Sequence, residues 1–216
     1  MGKTIAVLIG DLIGSRKAGN RADVQSRLMG VIGRINGAYG QSIVARVMVT
    51  GGDEFEGAFK DARACYRAFE DIERGLFPVR VRGGIGVGET DTKPSELVTE
   101  MDGPAFHRAR EALQAVKGKK SCLLLSSESK KIDGTANTVL RLLWAIRGGW
   151  TGRQREVAFY YLSRALSSPA APTQEEIAEH FGVSQPAITK VLSSGSIKAV
   201  RDAEEFLNQM LDEATR

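Results

Sequence analysis

Residues 43–59, IVARVMVTGGDEFEGAF, predict a β-hairpin. Apolar residues alternate from Ile43 to Val49, which is the pattern of a strand with one buried face. Gly51-Gly52-Asp53 is a tight-turn signal, and residues 55–59 can return as the partner strand. The other elements of the first half are placed around this hairpin.

The apolar patterns on either side of the hairpin predict an alternation of strands and helices. Before the hairpin we expect a buried strand at 4–9, ending in Gly10-Asp11, and an amphipathic helix at 21–39. After the hairpin we expect a helix ending near Pro78, a strand at 79–87, a helix around 106–116 and a strand at 121–126. This order predicts an α+β fold with a ferredoxin-like βαββαβ core, in which helices cover one side of the sheet. The other sheet face, or its rim, is then expected to be free for a ligand.

The chain divides into two predicted domains with different charge. Residues 1–135 form the α/β domain, and residues 136–216 form an all-helical domain that begins with a linker helix. The 150 residues up to Trp150 hold 23 Lys+Arg against 17 Asp+Glu, whereas the remainder holds 7 against 9. The positive excess of the first part suits an anionic small ligand or nucleic acid.

The strongest motif of the second half is TQEEIAEHFGVSQPAITKVL, residues 173–192. It predicts a helix-turn-helix, with Gly182 in the turn and Ser184 capping the second helix. If the motif binds DNA, the second helix presents Gln185, Thr189 and Lys190 to the major groove. The alternative is a protein-contact module, which the net negative charge of the segment favours.

Two acidic positions stand at ends of predicted neighbouring strands. Asp11 ends the first strand, and Asp53-Glu54 lie at the tip of the hairpin, so their carboxylates could hold Mg²⁺ together with phosphate. Gly51 and Gly52 would let the backbone approach a phosphate closely. The alternative is structural, with Asp11 and Asp53 capping their own turns.

Four stretches resemble the class III nucleotidyl cyclases and the GGDEF-type diguanylate cyclases. They are GDLIGS at 10–15, GGDEF at 51–55, RGGIGVG at 82–88 and DGPAFHRAR at 102–110. Their order, together with the C-terminal motif, is similar to the SatD family over nearly the whole chain. That resemblance implies a fold and an architecture rather than a reaction.

The cyclase resemblance implies roles for particular residues. Metal would bind at Asp11, Asp53 and Glu54, and nucleotide phosphate near Gly51, Gly52, Ser15 and Arg16. The implied catalytic set is Asp11, Asp53, His107 and Arg110. His107 stands where those cyclases have an asparagine, and Arg110 follows after three residues rather than four, so the domain is predicted to be a degenerate cyclase.

These observations combine into one functional hypothesis and one alternative. We expect a cytoplasmic, homodimeric DNA-binding transcriptional regulator that responds to a nucleoside triphosphate with Mg²⁺ or Mn²⁺. The alternative is an active nucleotidyl cyclase or nucleotidyltransferase that acts on ATP or GTP. No membrane association is expected, since no apolar run approaches the roughly 18–20 residues of a membrane helix.

Overall fold

The computed structural model describes residues 4–14, 21–117, 121–165 and 171–216. The chain forms two compact units, unit 1 with residues 1–141 and 209–216, and unit 2 with residues 142–208. The elements of the first part are β1 (Ile5–Ile13), α1 (Arg21–Ala38), β2 (Ile43–Gly51), β3 (Glu54–Phe59), α2 (Ala62–Leu76), β4 (Arg80–Gly88), α3 (Pro104–Lys117) and β5 (Leu123–Ser126). The remainder is helical, with α4 (Lys130–Gly148), α5 (Gly152–Ala165), α6 (Gln174–Phe181), α7 (Gln185–Ser194) and α8 (Ile197–Ala214).

The sheet of unit 1 has five strands in the order β2-β3-β1-β4-β5. β1 lies in the middle and pairs antiparallel with β3 and with β4, while β5 runs parallel to β4. Residues 5–12 of β1 are buried, as the apolar run predicts. The first four strands and the helices α1 and α2 therefore follow the predicted βαββαβ order.

The prediction that the second sheet face is free for a ligand is wrong, whereas its alternative, a ligand at the rim of the sheet, stays a prediction. Successive residues of a strand point to opposite faces, and a Cβ on Gly83 would meet Phe69 of α2, whereas one on Gly84 would meet Ala109 of α3. α2 and α3 therefore cover opposite faces of the sheet. α1 packs against α2, because a Cβ on Gly75 of α2 would lie 2.4 Å from a methyl group of Val31 in α1.

The glycines of β4 explain why α3 can cover the second face. A Cβ on Gly86 would lie 2.1 Å from the carbonyl oxygen of Ala105, and one on Gly84 would lie 2.2 Å from that of Ala109. The helix backbone thus packs directly on the strand backbone. The glycine-rich face of β4 is therefore the contact surface of a helix.

The predicted domain boundary after residue 135 falls inside α4, which runs on to Gly148. The two units instead divide after residue 141 within α4, and again after residue 208 within α8. The last turn of α8 belongs to unit 1, where the backbone amide of Ala62 donates to the Thr215 hydroxyl over 3.0 Å. This bond supplies an acceptor at the first residue of α2.

Unit 2 is built from short helices with well-defined ends. Thr173 and Glu176 form a reciprocal capping box at the start of α6, and Gly182 ends that helix in the left-handed conformation (φ 62°). The interior of unit 2 contains a buried ion pair between Arg147 and Glu204. Trp150 donates its indole N–H to the carbonyl of Gly195 over 2.7 Å. No described helix is both long enough and apolar enough to cross a membrane.

Candidate functional site

Charged side chains gather at one end of the sheet of unit 1. In the strand register Asp11 of β1 lies directly opposite Glu54 of β3 on one side and Arg82 of β4 on the other. Directly opposite residues point to the same face, with their Cβ atoms about 4.5–5.5 Å apart. The three side chains therefore share the α3 face of the sheet.

Asp11 is held by two cations. Arg82 donates through Nε to Oδ1 over 2.5 Å and through Nη2 to Oδ2 over 3.1 Å, and the Lys117 ammonium lies 3.4 Å from Oδ2. The Asp11 side chain is 11% exposed and that of Arg82 is 27% exposed, so the pair is largely removed from water. Arg82 was not identified from the sequence as the partner of Asp11. Arg82 lies two residues before Gly84 and four before Gly86, on the same face of β4, and this spacing was the available signal.

Glu56 is a second carboxylate on the same face that sequence reasoning missed. It is buried next to the core formed by β1 and α3, and Arg110 approaches its Oε1 to 4.0 Å. Burial raises the pKa of Glu56; Arg110 opposes the rise, and the nearby carboxylates of Glu54 and Asp102 add to it. The structure thus places Arg110 beside Glu56 rather than beside Asp11.

His107 lies apart from Asp11. Its imidazole is 61% exposed and its Nε2 is 3.9 Å from Oδ1 of Asp102. Lys117 follows it by ten positions on the helix, which corresponds to about 15 Å along α3. The structure does not bring His107 and Asp11 together, and the catalytic roles assigned to Asp11, Asp53, His107 and Arg110 stay predictions.

The turn between β2 and β3 lies near the start of α1. Gly52 has a φ of 62°, and a Cβ there would lie 3.7 Å from Nη2 of Arg21. The half-buried Asp53 sits in this turn immediately before Glu54. Ser15 and Arg16, the other predicted phosphate contacts, lie outside the described residues.

A divalent cation fits these contacts poorly. Both oxygens of Asp11 accept from Arg82, and Lys117 adds a second positive charge, so a metal ion would have to displace a cation that is already bound. Among the described residues no group of three or more His, Cys, Asp or Glu is arranged to hold a metal. The magnesium role of Asp11, Asp53 and Glu54 stays a prediction that the geometry does not favour.

The second candidate surface is the exposed side of α7. Ile188 and Leu192 are buried, whereas Gln185, Thr189 and Lys190 are exposed. The hydroxyl of Thr189 lies 2.5 Å from Oε1 of Gln174, the first residue of α6. Gln174 is therefore part of this surface, although the sequence pattern provided no reason to include it.

Comparison with known proteins identifies a family. The model of the SatD family matches residues 5–209. No curated protein matches the chain.

Two solved structures resemble the chain at low identity, and each is described as a bacterial light-regulated adenylyl cyclase. The first has a TM-score of 0.44 and 17% identity, and the match covers 58% of this chain and 77% of that chain. The second has a TM-score of 0.42 and 17% identity, with 58% and 43% covered. Likeness at this level carries no functional argument.

Proposed function

This chain belongs to the SatD family. From the surfaces described above we propose that it is a DNA-binding regulator whose unit 1 binds a nucleotide that changes its DNA affinity. The observation that carries the proposal is the division of α7 into a buried apolar side and an exposed polar side. The nucleotide-binding part is supported by the charged end of the sheet.

The exposed side of α7 has the chemistry of a recognition helix. Gln185 is its first residue, and the first residues of such a helix are those that reach base edges in the major groove. A glutamine amide can form two hydrogen bonds with adenine, whereas Lys190 suits a phosphate. The packing of Ile188 and Leu192 leaves these polar groups on the outer side.

Paired half-sites would offset the low positive charge of the second half. With 7 basic residues against 9 acidic ones after Trp150, a single copy offers few phosphate contacts. A homodimer would bind two half-sites at once and so raise the overall affinity. We therefore include dimerisation in the proposal.

Nucleotide binding is supported by cations beside a glycine turn. Arg82, Lys117 and Arg21 all lie at the end of the sheet to which the Gly51-Gly52 turn belongs. Arginine and lysine are the usual partners of phosphate oxygens, and a turn without side chains allows close backbone approach. A phosphate would compete with Asp11 for these cations, which gives the site two electrostatic states.

The contacts favour binding over turnover. Nucleotidyl transfer needs metal ions and groups that stabilise charge in the transition state. Asp11 is paired with cations, Arg110 lies 4.0 Å from Glu56, and His107 lies in the first turn of α3, far from Lys117. The enzymatic alternative therefore has no contact among the described residues that specifically favours it.

Fluorescence anisotropy of the full-length chain with duplexes selected from a random library tests the DNA-binding part. Gln185→Ala should change the preferred sequence, because it removes a base-reading amide. Gln209→Ala is the matched control, since Gln209 is exposed on α8 and far along the chain from α7. If the full-length protein shows no salt-sensitive duplex binding even at about 50 mM salt, the proposed function is wrong.

A further inference from the structure

Most cations of unit 2 already have partners within the protein. Among its described residues, 142–165 and 171–208, the paired arginines are Arg147 with Glu204, Arg153 with Glu156, Arg155 with the carbonyl of Arg147, Arg164 with the ring of Tyr160, and Arg201 with Asp202. Lys190 and Lys198 are exposed and have no acidic or aromatic partner in this part of the chain. They are therefore the two lysines of the described unit 2 whose ammonium groups have no competing partner among the residues described there.

A surface cleft of about 340 Å³ lies between α7 and the start of α8. Lys198 lines it together with the hydroxyl-bearing residues Thr189, Ser193 and Ser196, the amide of Gln174, and the apolar residues Leu192 and Ala199. No acidic residue within the described ranges lines this cleft, although α6 and α8 carry several. Hydroxyls and an ammonium group are donors that suit the oxygens of a phosphate.

Lys190 belongs to the same surface as the cleft. It precedes Ser193 by three residues on α7, and residues three apart on a helix are neighbours. Thr189, which also lines the cleft, immediately precedes Lys190. The two free lysines therefore flank a row of hydroxyl groups on the side of α7 that we assign to DNA.

We propose that this cleft is a DNA-backbone contact in which Lys198, Ser193 and Ser196 bind one phosphate while Lys190 binds another. The inference rests on the proposed function and extends it, because it moves the DNA footprint from α7 alone to α7 and the start of α8. It also assigns Lys198 a positioning role, in which it fixes how α7 enters the groove without reading a base.

The test measures duplex affinity of the full-length chain as a function of salt. Because the proposed homodimer loses one phosphate contact per copy, Lys198→Ala should weaken duplex binding by more than about tenfold near 100 mM salt and reduce the slope of log K against log salt by about 1.8. Lys190→Ala should have a similar effect, and the double variant, which removes four contacts from the homodimer, should reduce the slope by about 3.6. Lys198→Arg should retain the slope, since it keeps the charge.

Lys93→Ala is the matched control for a general charge effect. Lys93 is exposed in the segment between β4 and α3 of unit 1, and its removal should leave the slope unchanged. Thermal midpoints of all variants should stay close to that of the parent chain, because each replaced lysine is exposed.

The outcomes separate this inference from the proposed function. If Lys198→Ala keeps the parent slope while Lys190→Ala lowers it, the cleft proposal is overturned and DNA binding by α7 stands. If the parent chain binds no duplex, both fail. If inorganic phosphate shifts the amide resonances of Ser193 and Lys198 but the duplex does not, the cleft is a site for a free anion and the proposal is likewise overturned.

Discussion

At the scale of single residues, Asp11 determines which partner the cations at the charged end of the sheet have. A carboxylate within the buried part of a strand needs partners, and here Arg82 and Lys117 supply them. In the proposed function the same two cations bind a phosphate. Asp11 thus holds them in place and also competes for them.

Asp11→Asn should destabilise the fold and preserve nucleotide binding. The change leaves Arg82 partly buried without its charged partner, and we expect a loss of about 1.5–3 kcal/mol in the free energy of unfolding, measured by urea denaturation. Glu54→Gln is the matched control, with an expected change within about 0.5 kcal/mol, since Glu54 is only half-buried and faces other acids.

The same variant separates an anion site from a metal site. With Arg82 and Lys117 released, calorimetric titration should show that Asp11→Asn binds ATP at least as tightly as the parent chain, with or without EDTA. Loss of Mg²⁺-dependent binding in Asp11→Asn would instead support the metal role.

Glu56 makes stability depend on pH. Because burial raises its pKa in the folded state, the folded protein binds a proton more readily than the unfolded chain does. The free energy of unfolding should therefore fall as the pH rises from the ordinary glutamate pKa through the raised one. Glu56→Gln should remove this part of the decline in denaturation experiments at several pH values, and an unchanged pH dependence would contradict the assignment.

Asp11, Glu54 and the glycine turn can be found from the sequence, but the contacts that define their chemistry cannot. Asp11, Asp53 and Glu54 stand out because they end strands or occupy a turn. Arg82 and Glu56 become neighbours of these residues only through strand register, which is set by long-range pairing. A single sequence shows that glycines alternate with other residues along β4. It does not show which residue of β1 lies opposite each glycine or arginine of that strand.

At the scale of elements, β4 shows how one pattern can have two meanings. Glycine on every second residue leaves a strand face without side chains, which suits either a ligand or a closely packed helix. The structure places α3 there, within contact distance of the β4 backbone. The sequence predicts α3 and β4 separately, whereas their contact depends on the crossover that carries the chain from β4 to β5.

Gly86→Ala tests this packing. Its Cβ would lie 2.1 Å from the carbonyl oxygen of Ala105, so helix and strand must separate, and we expect a loss of about 3 kcal/mol or more in the free energy of unfolding. Gly33→Ala in α1 is the matched control, because a Cβ there meets nothing within 4 Å. That replacement should stabilise the protein by about 0.5–1 kcal/mol; equal effects of the two variants would contradict the packing.

At the scale of the whole molecule, the chain has a unit with a charged sheet end and a unit with an exposed polar helix. The boundary between the units falls inside α4 and inside α8. The helical nature of the second half and the existence of two parts are visible in the sequence. The assignment of residues 209–216 to unit 1 cannot be read from the sequence, because the periodicity of a helix does not show which unit its last turn contacts.

Nucleotide binding in unit 1 is proposed to change the DNA affinity of the chain. The most direct measurement is the dissociation constant of the full-length protein for its preferred duplex, with and without saturating ATP or GTP, while the nucleotide is followed by mass analysis. We predict a severalfold change in the dissociation constant with the nucleotide recovered intact, and the same change in the presence of EDTA. Conversion of the nucleotide to a cyclic product, with a DNA affinity that does not depend on it, would contradict the proposed regulation.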